Sequence, residues 1–149
     1  MKRKTILAAA ALTGLLLLSG CEWFSGEHLT DSERAEAFIE TANESIRDYD
    51  AMREHFHPEA LNYSSMNTQG FWEESFFAVE DREFIVRDLR DGEDLADFPL
   101  TSSLSGSVSS RNAEDATIRF GFLPDPAKPL NRLIYVIIVE EFDLIQSIH

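Results

Sequence analysis

The sequence predicts an α+β domain, with helices first and a mainly antiparallel sheet after them. Three observations predict it. A helix-capping signal and a 3.6-residue apolar period occupy residues 30 to 49, aromatic residues at helical spacing follow as far as Phe77, and from Arg82 onward the apolar period changes to two. Helices grouped before strands, rather than alternating with them, characterise this class.

Thr30-Asp-Ser-Glu33 has the form of a capping box, in which a Thr side chain and a Glu three residues later satisfy each other's free backbone donors. Ala35, Phe38, Ile39, Ala42, Ile46 and Tyr49 then keep one helical face, opposite Glu33, Glu36, Glu40, Glu44 and Asp48. A short second helix is predicted from Asp50 through Met52 to Phe56, stopped by His57-Pro58 because the residue before a proline is pushed out of the helical region. Beyond Asn62-Tyr63, the run Phe71-Trp72-Glu-Glu-Ser-Phe76-Phe77 reads as a third helix.

Strands are predicted at Glu83 to Leu89, around Leu100, Leu104 and Val108, and around Ile118, Phe120 and Phe122, with Arg111 to Asp115 as a turn. Pro124-Asp-Pro-Ala-Lys-Pro129 makes a stiff connection into a strand from Leu130 to Glu140, and Phe142-Asp143 leads to a last strand, Leu144 to Ile148. Leu133-Ile-Tyr-Val-Ile-Ile-Val139 breaks the alternation. Seven apolar residues in a row suit a strand covered on both faces, and helices cover one. Either the sheet curls around this strand, or its outer face meets another chain, in a homodimer or with a partner subunit.

The first twenty residues carry Lys2, Arg3 and Lys4, then an apolar run from Ile6 to Leu18, and no acid, which is the layout of a secretory signal. The run is shorter than the roughly 20 residues a spanning helix needs. Leu18-Ser19-Gly20-Cys21 resembles the lipobox of bacterial lipoproteins. That resemblance implies cleavage before Cys21, a diacylglycerol thioether on its sulfur and an acylated new amine, which would also explain the single cysteine. Two or three acyl chains suffice for stable attachment. Glu22, where Asp would favour inner-membrane retention, points to the periplasmic face of the outer membrane. Trp23 and Phe24 suit either a bilayer interface or a plain tether.

The domains expected are therefore a signal peptide at 1–20, a lipidated tether at 21–29 and a single domain at 30–149. Without Lys2, Arg3 and Lys4 the chain has ten cations against 27 carboxylates, a formal charge of −17, and Lys128 is its one lysine. Such a body is repelled by phosphate backbones and anionic lipid, which argues against nucleic-acid binding and leaves membrane attachment to the lipid on Cys21. Adaptation to high salt and a basic partner account equally for the acidity.

The order of elements over roughly residues 30 to 149, with Asp50-Ala-Met-Arg-Glu-His-Phe-His-Pro-Glu-Ala-Leu61 between the first and third helices, resembles the nuclear-transport-factor-two-like, or SnoaL-like, superfamily. The resemblance implies a curved sheet wrapped over helices into a cone around an apolar cavity. Some members are isomerases or dehydratases with an acid or base in the cavity, and many are binding or dimerisation modules. Tyr49 and His55 lie in the relevant helices, but neither aligns with a catalytic position.

Few residue patterns suggest chemistry. His55 and His57 are two apart at a helix end, where a shared metal would want a spacing of three or four. Asp91-Gly-Glu93-Asp94-Leu-Ala-Asp97 is rich in the hard oxygens calcium prefers but lacks the order of a calcium loop, and reads as a solvated acidic segment. The adjacent pairs Glu73-Glu74 and Glu140-Glu141 point apart, and Ser102 to Ser110 is a polar strand face rather than a nucleophile elbow. No glycine loop for phosphate is present, and no catalytic residue, metal or cofactor is expected. Phe71, Trp72, Phe76 and Phe77 read either as core or as the lining of an apolar pocket; the pocket candidates are Tyr63, Trp72, Phe76 and Phe77.

The function expected is thus that of a lipid-anchored envelope protein, a non-enzymatic binding or assembly module for a partner protein or a small apolar ligand. The alternative is an isomerase or hydratase with an acid or base inside a cone.

Overall fold

A computed structural model describes residues 28–141 and 144–149. The signal segment, Cys21, Trp23, Phe24 and the Phe142-Asp143 link lie outside the described residues.

The first helix, α1, spans Asp31–Asn43, and its capping box forms: Glu33 N donates to Thr30 Oγ1 at 3.4 Å, and Thr30 N donates to Glu33 Oε2 at 2.8 Å. Ala35, Phe38, Ile39 and Ala42 are buried along one side. The helix stops before the predicted stripe does. Asn43 ties the helix end to residues 83 and 84, with Oδ1 accepting from Glu83 N and Phe84 N and Nδ2 donating to Phe84 O at 2.8 Å. Arg47 caps the Ala42 carbonyl through Nε at 3.0 Å. Ile46 is consequently 86% exposed, and Tyr49 opens the next helix.

That helix, α2, is Tyr49–Glu54, capped by Asp48, whose Oδ1 accepts from Ala51 N. The third, α3, is Gln69–Glu73 and does not reach Phe77 as its aromatic spacing predicts. Its continuation is captured from the sheet: Gln146 donates through Nε2 to Glu74 O at 3.0 Å and accepts from Phe76 N through Oε1, which holds residues 74–76 in a turn.

Five antiparallel strands follow as a meander in the order β1-β2-β3-β4-β5: Ile85–Asp91, Ser102–Ser109, Ala116–Pro124, Arg132–Glu141 and Leu144–Ile148. β1 begins two residues later than its alternation predicts, after Asn43 has taken the 83–84 backbone. An extra residue in β1 between Arg87 and Arg90 makes a bulge, with Asp88 at φ 57°. Gly106 of β2 lies opposite, where a Cβ would meet Arg87 O at 2.6 Å.

A second bulge explains the seven-residue apolar run. Gly121 pairs with Val136 and Phe122 with Ile134, so Tyr135 is the extra residue in β4. Its insertion puts Ile134, Ile137 and Val139 together in the helix-side core, although Ile134 and Ile137 are three apart. Val136 faces the other way, across from Gly121. That outer face is covered by the β1–β2 connection of the same chain: Leu100 lies over Gly121 beside Val136, and Phe98 packs edge-on against Tyr135 and His149. Leu133 and Val136 are buried without a second chain.

Where β5 stops pairing, at Ile137, residues 55–57 take over the edge of β4: Ile134 N donates to His55 O at 2.9 Å and His57 N to Ile134 O at 2.7 Å. The helix-side core is aromatic. Phe38 lies at 5.8 Å from Trp72 in a tilted pair and meets Phe56 at 5.5 Å and Phe77 at 5.1 Å edge-on, and Phe84 meets Phe77 edge-on at 5.1 Å between ring centres. Edge-to-face pairs of this kind add to the burial of the rings themselves.

Candidate functional site

Among the described residues the candidates are a polar cluster between α1 and the sheet and an open groove at the β5 edge. The first is buried. Arg34 lies in the same helical row as Phe38 and Ala42, so α1 carries it toward the sheet, where it is 7% exposed. Its Nε donates to Arg132 O at 2.7 Å, Nη2 to Asn131 Oδ1 at 3.1 Å, and Nη1 reaches His55 Nδ1 at 3.1 Å. Because guanidinium is always a donor, His55 Nδ1 must accept and its proton resides on Nε2. Nε2 then donates to Thr41 Oγ1 at 2.8 Å, and that hydroxyl donates to Ala37 O at 2.9 Å. Every proton in the relay has one direction.

Asn131 extends the cluster to the start of the domain. Its Oδ1 also accepts from Leu29 N at 2.9 Å, its Nδ2 donates to Asp125 at 3.1 Å, and Arg132 N donates to Leu29 O at 3.1 Å. Burial lowers the His55 imidazole to about 4, and the neighbouring guanidinium acts in the same direction. Burial also lowers Arg34, against the pull of Asp125. His55 is therefore neutral at physiological pH with both ring nitrogens committed, a geometry that locks α1, α2 and the β3–β4 hairpin together.

The second place is a groove of about 490 Å³ at the β5 edge, lined on one side by Glu74, Ser75 and Phe76 and on the other by Glu141 and the strand from Leu144 to Ser147. Gln146 builds its floor by bonding the 74–76 backbone. Leu144 and Ile145 are exposed along an edge strand. The groove thus offers aliphatic and aromatic surface, two carboxylates and the border of a sheet, a combination suited to an extended apolar segment with basic residues.

The four pocket candidates are separated. Trp72 and Phe77 are fully buried core residues, with Trp72 Nε1 donating to the Met66 carbonyl, and Tyr63 is half-buried beneath the Arg53 guanidinium, 5.3 Å from its ring centre. Phe76 alone of the four lines the groove. His57 sits away from His55, buried beside Tyr135, its Nδ1 accepting from Glu59 N. Of the paired acids, Glu140 is held bidentately by Arg119 at 2.7 and 3.3 Å while Glu141 lines the groove. The Asp91–Asp97 segment forms the end of β1 and the start of the connection over the outer face. Among the described residues no three His, Cys, Asp or Glu side chains converge on a metal position, and no helix is long and apolar enough to cross a membrane.

Sequence reasoning missed Arg34, Asn131 and Gln146. Arg34 had a signal, a charge in the apolar helical row. Asn131 and Gln146 act through contacts distant in sequence and had none. Comparison with protein families, curated proteins and solved structures finds none that matches this chain.

Proposed function

We propose that this chain is a bacterial envelope lipoprotein, anchored through diacylglycerol on Cys21 to the periplasmic face of the outer membrane, whose α+β domain is a non-enzymatic binding or assembly module. The observation that carries the proposal is the quartet Leu18-Ser19-Gly20-Cys21 after a short apolar run and a basic start. The β5 groove is the contact site in this reading, with a partner segment lying along Leu144 to Ser147. The cone-like, nuclear-transport-factor-two-like architecture belongs to the same proposal, supported by N-terminal helices lying against one face of the antiparallel sheet. Phe38, Phe56, Trp72 and Phe77 fill the space where a cone would hold its ligand, and both ring nitrogens of His55 are already hydrogen-bonded. Both features favour a binding module over an isomerase or hydratase.

Metabolic labelling with a tagged palmitate tests the anchor. The native chain should take up label and sediment with membranes, and a Cys21→Ser chain should lose the label and resist processing. Normal cleavage and membrane retention of that variant would overturn the proposal. For the module, capture from detergent-solubilised envelope by the native chain and by Ile145→Glu should differ in the partner retained.

A further inference from the structure

The proposed anchor and the described domain meet at Leu29, and what lies beside that residue is unusual for so acidic a chain. Arg132 N and Asn131 Oδ1 clamp the Leu29 backbone from both sides, so the chain leaves the domain at the base of the β3–β4 hairpin. From Cys21 to Leu29 the chain extends at most about 28 Å, so a lipid on Cys21 keeps this end of the domain at the bilayer. Beyond the clamp the hairpin tip, Pro126-Ala-Lys-Pro-Leu130, is exposed throughout, with Leu130 75% exposed.

The tip is rigid. Lys128 N donates to Asp125 O at 3.2 Å, Asn131 N to Lys128 O at 2.8 Å, and Ala127 N to the Asp125 carboxylate at 2.8 Å. Its charge is balanced: Lys128 stands near Asp125, where burial alone would raise the carboxyl but the Ala127, Asn131 and Lys128 hydrogen bonds and the lysine charge together hold it below its ordinary value. The nearby acids of α1 are engaged too, Glu33 in the capping box and Asp31 with Arg132 at 3.6 Å. A rigid, charge-balanced tip of proline, alanine and leucine therefore projects next to the point where the tether departs.

We propose that the Pro126–Leu130 hairpin tip is a membrane-docking surface that inserts into the interfacial region of the bilayer carrying the Cys21 lipid, fixing the orientation of the domain. This rests on the lipid-anchor reading. The opposite pole follows from α1, which starts at the clamp and runs away from it for about 20 Å, so Ile46, beyond its far end, lies toward the aqueous side.

The test uses the full lipidated chain in vesicles of phosphatidylethanolamine and phosphatidylglycerol with nitroxide-labelled acyl chains. Lipid on Cys21 blocks its thiol, so a single introduced cysteine takes a polarity-sensitive fluorophore in Leu130→Cys, Ser32→Cys or Ile46→Cys. All three positions tolerate the label because they are exposed. The fluorophore at 130 should shift to the blue and be quenched several-fold more than at 46, with 32, near the anchor but off the tip, in between. Equal quenching at 130 and 32 overturns insertion, since proximity alone gives that result. Shielding of position 130 in native envelope but not in vesicles overturns it in favour of a protein partner. The mass of the purified chain separates the two claims: an unlipidated Cys21 sinks the anchor and the docking with it, whereas lipid on Cys21 with an unquenched tip sinks the docking alone.

Discussion

Arg34 donates through Nη1 to Nδ1 of His55 at 3.1 Å, and this one contact sets the tautomer of the histidine and the direction of the relay through Thr41 to the Ala37 carbonyl. Replacing Arg34 by Met preserves much of the volume and takes the donor from the Arg132 carbonyl and from His55 Nδ1, while Asn131 Oδ1 keeps Leu29 N. Leaving buried polar groups unpaired costs roughly 1–3 kcal/mol each. Arg34→Met should lower the midpoint of urea unfolding by a clear margin, and an unchanged midpoint would show that the cluster contributes nothing net.

The same cluster predicts a pH dependence. His55 titrates near 4 in the folded chain, below its ordinary value of 6.5, so between these limits the unfolded chain binds more protons and stability rises with pH. On acidification from about 6.5 to about 4 this contribution is progressively lost, to a total on the order of 3 kcal/mol. Chemical denaturation across that window should slope less in His55→Gln than in the native chain. Parallel slopes would remove His55 as the cause.

Gly106 is the residue opposite the β1 bulge. A Cβ there would sit 2.6 Å from the Arg87 carbonyl oxygen and against the Leu89 backbone, contacts that no side-chain rotation relieves. Gly106→Ala should destabilise by about 1–3 kcal/mol, in the range of overpacked sites. Gly121→Ala meets mainly Leu100 methyl groups and Val136 Cγ1, so it should cost less and loosen the β1–β2 connection, visible as faster amide exchange around residues 98–101.

Trp72 and Phe76 separate core from groove. Trp72→Ala should cost about 3–5 kcal/mol as a cavity in the aromatic core. Phe76→Ala, half-buried at the groove, should be milder in thermal unfolding and should reduce partner capture. Equal thermal losses in the two variants would contradict this division.

The legible parts of this fold are those decided by neighbours in sequence. Thr30 and Glu33 complete their capping box within one turn, and Ile118, Phe120 and Phe122 alternate into the core as their spacing requires. The end of α1 was not legible, because Ile46 and Tyr49 continue the helical period while Asn43 is captured by residues 83 and 84. The aromatic run from Phe71 to Phe77 reads as one helix, yet Gln146 breaks it after Glu73. The apolar run of β4 called for two covers, and a bulge at Tyr135 with the 95–101 connection supplies the second within the chain. Of the candidate groove, Phe76 was the one pocket candidate and Glu74 and Glu141 appeared merely as members of adjacent acidic pairs, since the two walls are seventy residues apart in sequence.

The link from Arg34 to Arg132 joins residues 98 positions apart. Until the fourth strand has been synthesised, α1 lacks the carbonyl and amide that receive its guanidinium and the Ile134 and Ile137 side of its packing surface. The amino-terminal half of the chain, although its aromatic rings can meet one another, therefore cannot complete its native packing while it emerges from the ribosome. Under the proposed lipoprotein reading, in which the chain is exported before it folds, that delay would be useful: the chain would stay short of its native packing until residues 131 and 132 exist, and closure of the Arg34 cluster would end its fitness for export.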